Sequence, residues 1–278
     1  MKEKISGTFS LEFFPPKTAE GAMRLRRTRE QFSVLGPSYF SVTYGAGGST
    51  REPTRATVLE IKSAGCDVAP HLSFGGDDEA HVEALLQTYV EAGIRRVVAL
   101  RGDLPSGMGL QRMRHASELV AFIRARFADH FKIAVACYPE VHPEASSYLE
   151  DVDYLKRKLD AGADYAVTQY FYNPDSYCRF MDECARAGID KPIVPGIMPI
   201  TNLDNLLRFS KACGAEVPRW LRKSLEPLRG EELLQYGEEA VTGLCCRLAE
   251  QGVDRFHFYT LNQFAPTAAI CRNLGLVD

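Results

Sequence analysis

The chain has 278 residues, 45% of them hydrophobic, and its 33 Lys and Arg against 36 Asp and Glu leave a formal charge of −3. A nearly neutral, slightly acidic chain is a poor match for a polyanion, so nucleic acid is excluded as the main partner. No apolar run reaches the roughly 18 residues of a membrane helix, the opening MKEKISGTFSLEFFPP has no apolar signal region, and the 8 cysteines form no C-x-x-C pair. The expectation is a cytoplasmic protein with reduced thiols, and six scattered histidines give no reason to expect a metal.

Eight short β-branched and aromatic runs read as strands. In chain order they are Thr8–Phe14, Tyr39–Tyr44, Val68–Phe74, Arg96–Leu100, Ile133–Tyr138, Tyr165–Phe171, Pro192–Ile197 and Arg255–Leu261. Helical periodicity lies between them. Val82, Leu85, Leu86 and Tyr89 form one stripe, and Leu234, Val241, Leu244 and Leu248 another. Glycine closes five helical segments just before a strand, at Gly65, Gly93, Gly162, Gly188 and Gly252. A left-handed C-cap explains each. This alternation predicts an α/β fold, a (β/α)8 TIM barrel, with an extra helical excursion near Pro218–Glu231 between strands seven and eight. Residues 1–278 read as one domain. An open doubly wound sheet is the alternative, but no strand–G-x-G-x-x-G–helix fingerprint is present. Gly45-Ala46-Gly47-Gly48 alone is a weak phosphate signal.

Active sites of barrels gather at the C-terminal strand ends. Those ends carry Glu12, Thr43 and Tyr44, His71, Arg101 with Asp103, Tyr138 with Glu140 and His142, Gln169, Asn202, and Tyr259 with Asn262. Each has a plainer reading. Glu12 faces solvent if its strand is covered on one side only, although parallel barrel strands are covered on both. Asp103 caps a loop or pairs with Arg101. His71 alone is more often a satisfied core histidine. Gln169 is the stronger candidate, since a buried primary amide needs several partners. Lys156, Arg157 and Lys158 are a solvated helix face, or cations for phosphate if that helix starts at the barrel mouth. Residue chemistry stops there and names no substrate.

The strand-end strings go further. EFFPP from Glu12, VTYGA from Val42, APHL from Ala69, ALRGDLP from Ala99, YPEVHPEA from Tyr138, Thr168-Gln169, PGIMP from Pro195 and FHFYTLN from Phe256 occur in this order. Together they resemble methylenetetrahydrofolate reductases from about residue 8 to 276. The resemblance implies a barrel enzyme that holds FAD noncovalently and reduces 5,10-methylenetetrahydrofolate to 5-methyltetrahydrofolate. NADH or NADPH supplies the hydride in a ping-pong scheme, leaving before the folate enters.

By the same resemblance Glu12 is the general acid for opening the folate's five-membered ring, a task suited to a carboxyl whose pKa burial has raised. Asp103 is the carboxylate beside flavin and pterin. Gln169 meets folate and nicotinamide, Phe209 stacks on the substrate, and Asn205 contacts folate where relatives have Gln. Gln263 stands where some bacterial relatives have a folate-contacting arginine. The flavin lies among Thr43, Tyr44, Ala46, His71, Arg101, Gly102, Asp103, Ala116, Tyr138, His142, Ala145, Asp151, Tyr154, Arg157 and Lys158. Of these, Arg157 and Lys158 answer the pyrophosphate and Asp151 a ribose hydroxyl. A homo-oligomer is implied, and no response to S-adenosylmethionine. Two alternatives remain: a flavoprotein subunit fed by an electron-donating partner protein, and a flavin-free one-carbon transferase on the same barrel.

Overall fold

The computed structural model describes residues 7–44, 51–74, 79–101 and 115–277. The expected Ala46, Gly102 and Asp103 lie outside the described residues. Strands and helices alternate: β1 (Thr8–Phe13), α1 (Ala19–Ser33), β2 (Phe40–Val42), α2 (Arg51–Ser63), β3 (Val68–Leu72), α3 (Glu79–Glu91), β4 (Arg96–Ala99), α4 (Ala116–Phe127), β5 (Lys132–Cys137), α5 (Tyr148–Asp160), β6 (Tyr165–Thr168) and α6 (Pro174–Arg186). There follow β7 (Ile193–Val194), β8 (Gly196–Ile197), α7 (Leu203–Cys213), α8 (Arg219–Leu225), α9 (Gly230–Glu250), β9 (Arg255–Tyr259) and α10 (Phe264–Asn273).

The spatial order is β7-β6-β5-β4-β3-β2-β1-β9-β8, every pair parallel. β7 and β8 are two halves of one strand position interrupted at Pro195, which has no N–H to give to a ladder. β7 pairs with β6 and β8 with β9, so the order closes on itself into the expected barrel. Gly196 makes this closure sterically feasible. A Cβ there would lie 2.1 Å from the Thr168 carbonyl oxygen and 2.6 Å from the Tyr259 ring.

Strand alternation creates two apolar compartments. On β1, Phe9, Leu11 and Phe13 pack outward under the helices, with the Phe13 ring 5.3 Å from Phe40 and 6.1 Å from Phe32 of α1. Ser10 and Glu12 take the alternate positions. A second cluster, Tyr39, Ala69, Val98, Ala134, Tyr165, Val167 and Val194, fills the lumen.

Helix faces follow the sequence stripes with one correction. Val82, Leu86 and Tyr89 are buried on α3, and Val241, Leu244 and Leu248 on α9. Leu234, expected in the α9 stripe, is 43% exposed, and its neighbour Leu233 is buried instead. Leu233 lies about 20° from Leu244 around the helix axis, so it can take the buried place at the start of α9. The five expected helix-closing glycines all have positive φ, from 73° to 116°. Thr18 and Ser147 cap α1 and α5 with side-chain oxygens that accept backbone N–H bonds. All eight cysteines are free thiols.

Candidate active site

Because all strands run in parallel, the polar residues at their C-terminal ends meet at one face. There an inner cavity of about 380 Å³ has Glu12, Thr43, His71, Gln169, Met198 and Tyr259 among its walls. Its volume falls within the roughly 300–1,000 Å³ of small-molecule sites. Glu12 lies at its base between two imidazoles. Glu12 Oε2 is 3.2 Å from His71 Nε2 and 3.4 Å from His257 Nε2. Only His257 has the geometry of a hydrogen bond.

Burial pushes the Glu12 pKa up, but the close approach of the His71 imidazole and the hydrogen bond from His257 outweigh it and hold the carboxyl at about 2. This corrects the expectation of a pKa raised by burial. Among the described residues, no three His, Cys, Asp or Glu side chains are arranged to hold a metal ion.

Gln169 is held by its backbone N–H, which donates to the Cys137 carbonyl at 2.8 Å. Its side-chain oxygen accepts from the Tyr170 N–H at 3.0 Å, which leaves the amide nitrogen as the side chain's donor. Tyr259 donates to the Thr168 carbonyl at 2.6 Å, tying β9 to β6 across the divided strand. Phe209 of α7 forms an apolar side of this cavity.

An outer cavity of about 340 Å³ adjoins it. Tyr44, Leu100, Ala136 and Tyr138 border both. Its walls come from the start of α4 (His115 and Ala116) and from α5 with the loop before it. Asp151 Oδ2 accepts the His142 N–H at 2.8 Å, pinning that loop to the first turns of α5. Burial raises the Asp151 pKa and lowers that of His142. Lys158, about two helical turns further on, donates from Nζ to the Ala136 carbonyl at 2.6 Å. Burial is the main cause of its lowered pKa. Arg101 pairs with Glu144 at the rim. The His115 and Tyr154 rings stack at 6.0 Å. The site thus combines half-buried and rim cations, an acceptor, and the small side chains of Ala99, Ala116, Ala136 and Ala145.

A sequence model of the family "methylenetetrahydrofolate reductase" matches residues 1–275. The 5,10-methylenetetrahydrofolate reductase of Escherichia coli (strain K12) is 41% identical over 270 residues, covering 96% of this chain and 90% of that protein. The chain belongs to the methylenetetrahydrofolate reductase family. It is thereby an oxidoreductase of the family named for reducing methylenetetrahydrofolate. Methylenetetrahydrofolate reductase (NADH) 1 of Arabidopsis thaliana is 38% identical over 99% of this chain and 50% of its own length. Among solved structures, an uncharacterized protein from Clostridium thermocellum that binds two copies of 5-methyl-5,6,7,8-tetrahydrofolic acid superposes with a TM-score of 0.68 at 16% identity. It covers 98% of this chain and 95% of that one, and at that identity it speaks to the fold alone.

Most residues expected from the reductase resemblance border the two cavities. Glu12, Thr43, His71, Gln169 and Phe209 border the inner one, and Tyr44 and Tyr138 border both. Arg101, Ala116, His142, Ala145, Asp151, Tyr154 and Lys158 border the outer one. Three lie elsewhere. Arg157 pairs with Asp153 on the open side of α5, its side chain 64% exposed. Asn205, in the first turn of α7, accepts from Arg208, and Gln263 is the residue before α10.

Sequence reasoning did not single out His257, Met198 or Tyr170 of the inner cavity, nor His115, Ser73 and Glu144 of the outer. His257 had a legible signal: in Arg255–Tyr259 it stands between Phe256 and Phe258, hence on the opposite strand face.

Proposed function

We propose that this chain binds FAD across the two cavities and uses NADH or NADPH to reduce 5,10-methylenetetrahydrofolate to 5-methyltetrahydrofolate by a ping-pong scheme. We assign residues 1–278 to one catalytic domain. The observation that carries the reading is Glu12, a buried carboxylate between two imidazoles, at the base of a cavity that opens into a cation-lined one. The donor set fits the cofactor. Lys158 and Arg101 supply positive charge for a diphosphate, and Asp151 an acceptor for a ribose hydroxyl. Ala99, Ala116, Ala136 and Ala145 leave room for a flat ring system. When bound, the flavin supplies the hydride for the one-carbon unit.

The chain's own residues handle position and proton. Reducing the methylene bridge breaks its bond to one folate nitrogen. The carbon takes the hydride and that nitrogen takes a proton. Glu12 delivers the proton, and the adjoining imidazoles favour its return to the carboxylate form. Gln169, a wall of the inner cavity, offers its amide nitrogen as a donor to the pterin or the nicotinamide amide. Phe209 and Tyr259 provide apolar and aromatic walls that keep water from the reacting carbon.

An anaerobic titration of the purified protein tests this reading. NADH or NADPH should bleach a bound flavin's visible absorption, and methylenetetrahydrofolate should restore it. Absorption that ignores both nicotinamides, yet returns with folate after chemical reduction, would transfer the electron supply to a partner protein. Failure to take up FAD would overturn the flavin reading altogether.

A further inference from the structure

A groove of about 670 Å³ lies between the start of α1 and the turn that follows β9. Leu261 is a wall of this groove and of the inner cavity. Phe14, 44% exposed, borders the inner cavity, and Pro15 and Pro16, next in the chain, border the groove. The two spaces therefore share one rim. Along the chain that leaves β1, Glu12 stands in the inner cavity, Phe14 at the rim and Lys17 in the groove.

The rim is held by an uncommon backbone. Leu261 and Asn262 are consecutive non-glycine residues with φ of 52° and 57°, the left-handed region that a Cβ disfavours. The Asn262 side chain secures the turn. Its oxygen accepts the Phe14 N–H and its nitrogen donates to the Phe14 carbonyl, both at 2.9 Å. Backbone strain of this kind gathers at binding sites, and here it fixes the wall that the two spaces share.

The groove is electropositive. Its described walls include Lys17, Arg24 and Arg27 and no acidic residue. Neighbouring cations on α1 are paired: Arg24 with Glu20, Arg26 with Glu60 and Arg29 with Glu30. Among the described residues, Lys17 and Arg27 have neither an ion pair nor a hydrogen bond. Two unpaired cations on one groove leave a positive field that attracts an anion.

We propose that this groove binds the γ-linked glutamate chain of the folate, so that the preferred substrate carries two or more glutamates. The inference rests on the inner cavity being the place where the folate is reduced. The lumen beneath that cavity is filled by Ala134, Tyr165 and Val194. With the reacting bridge beside Glu12, the p-aminobenzoyl arm therefore leaves through the mouth. Lys17 is five residues beyond Glu12, at most about 18 Å of chain, a span that the arm covers once glutamates extend it. Each γ-linked glutamate keeps its α-carboxylate free. The chain is thus a flexible polyanion, matched to the Lys17 ammonium and to the forked guanidinium of Arg27. No bond is made or broken in the groove.

Calorimetry of the FAD-loaded enzyme tests this without turnover, using 5-methyltetrahydrofolate as its monoglutamate and as its triglutamate. The triglutamate should bind about tenfold more tightly, since exposed ion pairs contribute up to a few-fold each. High salt should shrink that advantage. The double variant Lys17→Ala/Arg27→Ala should bring the two affinities to within about twofold of each other. Arg26→Ala, which removes a cation of the same helix outside the groove, should keep the advantage. Monoglutamate binding with no triglutamate preference, or a preference indifferent to salt, would overturn the groove and leave the folate reading standing. Failure of both folates to bind would remove that reading, and the proposal with it. A triglutamate preference that survives in the double variant would overturn the assignment of Lys17 and Arg27. If the same variant instead raised the KM for NADH or NADPH, the groove would belong to the nicotinamide's phosphates.

Discussion

Adjacent residues on α5 meet opposite fates. Lys158 is half-buried against the Ala136 carbonyl in the outer cavity, and Arg157, turned by about 100°, pairs with Asp153 on the solvent side. A surface ion pair contributes little, whereas a half-buried ammonium facing a cavity retains a strong attraction for a phosphate. We expect Lys158→Met to weaken FAD binding tenfold or more, about 1.4 kcal/mol, and Arg157→Ala to change it less than about twofold. Calorimetric titration of the apoprotein with FAD checks both, and equal losses would place Arg157 in the site. The basic run Lys156–Lys158 was visible in the sequence, but its division into a bound and a solvated member was not. Which side of α5 faces the cavity depends on where that helix lies against β5.

Glu12 makes the same point about electrostatics. Its position inside an apolar strand marked it as functional. The direction of its pKa depended on His71 and His257, which approach from β3 and β9. Separations of 59 and 245 residues, by residue number, give local pattern no means of pairing them with Glu12.

At the scale of elements, the eight expected strands all appear, most of them shorter than their apolar runs. The runs Tyr39–Tyr44 and Tyr165–Phe171 yield ladders of three and four residues. The trimmed ends turn into the site, as Thr43, Tyr44 and Gln169 do. The seventh strand departs most, broken at Pro195 into segments that serve different neighbours. Gly196 is its critical residue, since the Thr168 carbonyl and the Tyr259 ring occupy the place a side chain would take. Gly196→Ala should destabilise the fold by about 3 kcal/mol, the upper part of the usual overpacking range. Urea denaturation measures this, and a loss below about 0.5 kcal/mol would mean that the closure shifts to admit a methyl group. Pro195-Gly196 was quoted in the sequence as part of a family string, but nothing local indicated that it closes the barrel.

At the scale of the whole molecule, closure brings all strand ends to one face and builds two adjoining cavities. A ligand that binds only the folded state adds about 2.7 kcal/mol at a concentration 100 times its Kd. For a chain of this size we expect removal of FAD to lower Tm by roughly 5–10 °C, at about 2–4 °C per kcal/mol. Restoring FAD should recover it, as scanning calorimetry of stripped and reconstituted protein would show. An unchanged Tm would mean that the outer cavity is not the cofactor's place.

By itself the sequence determined the alternation of strands and helices, the glycine stops, the order of strand ends and the family. All of these are written in contacts a few residues apart or in strings that survive without coordinates. Only the tertiary structure decided which polar residues share a carboxylate, which cation of a run faces the cavity, where the barrel closes, and that Tyr259 reaches the Thr168 carbonyl. The physical reason is that hydrogen bonds and charges act through space over a few ångströms. Residues from β1, β6 and β9 reach that separation only when the parallel ring has formed.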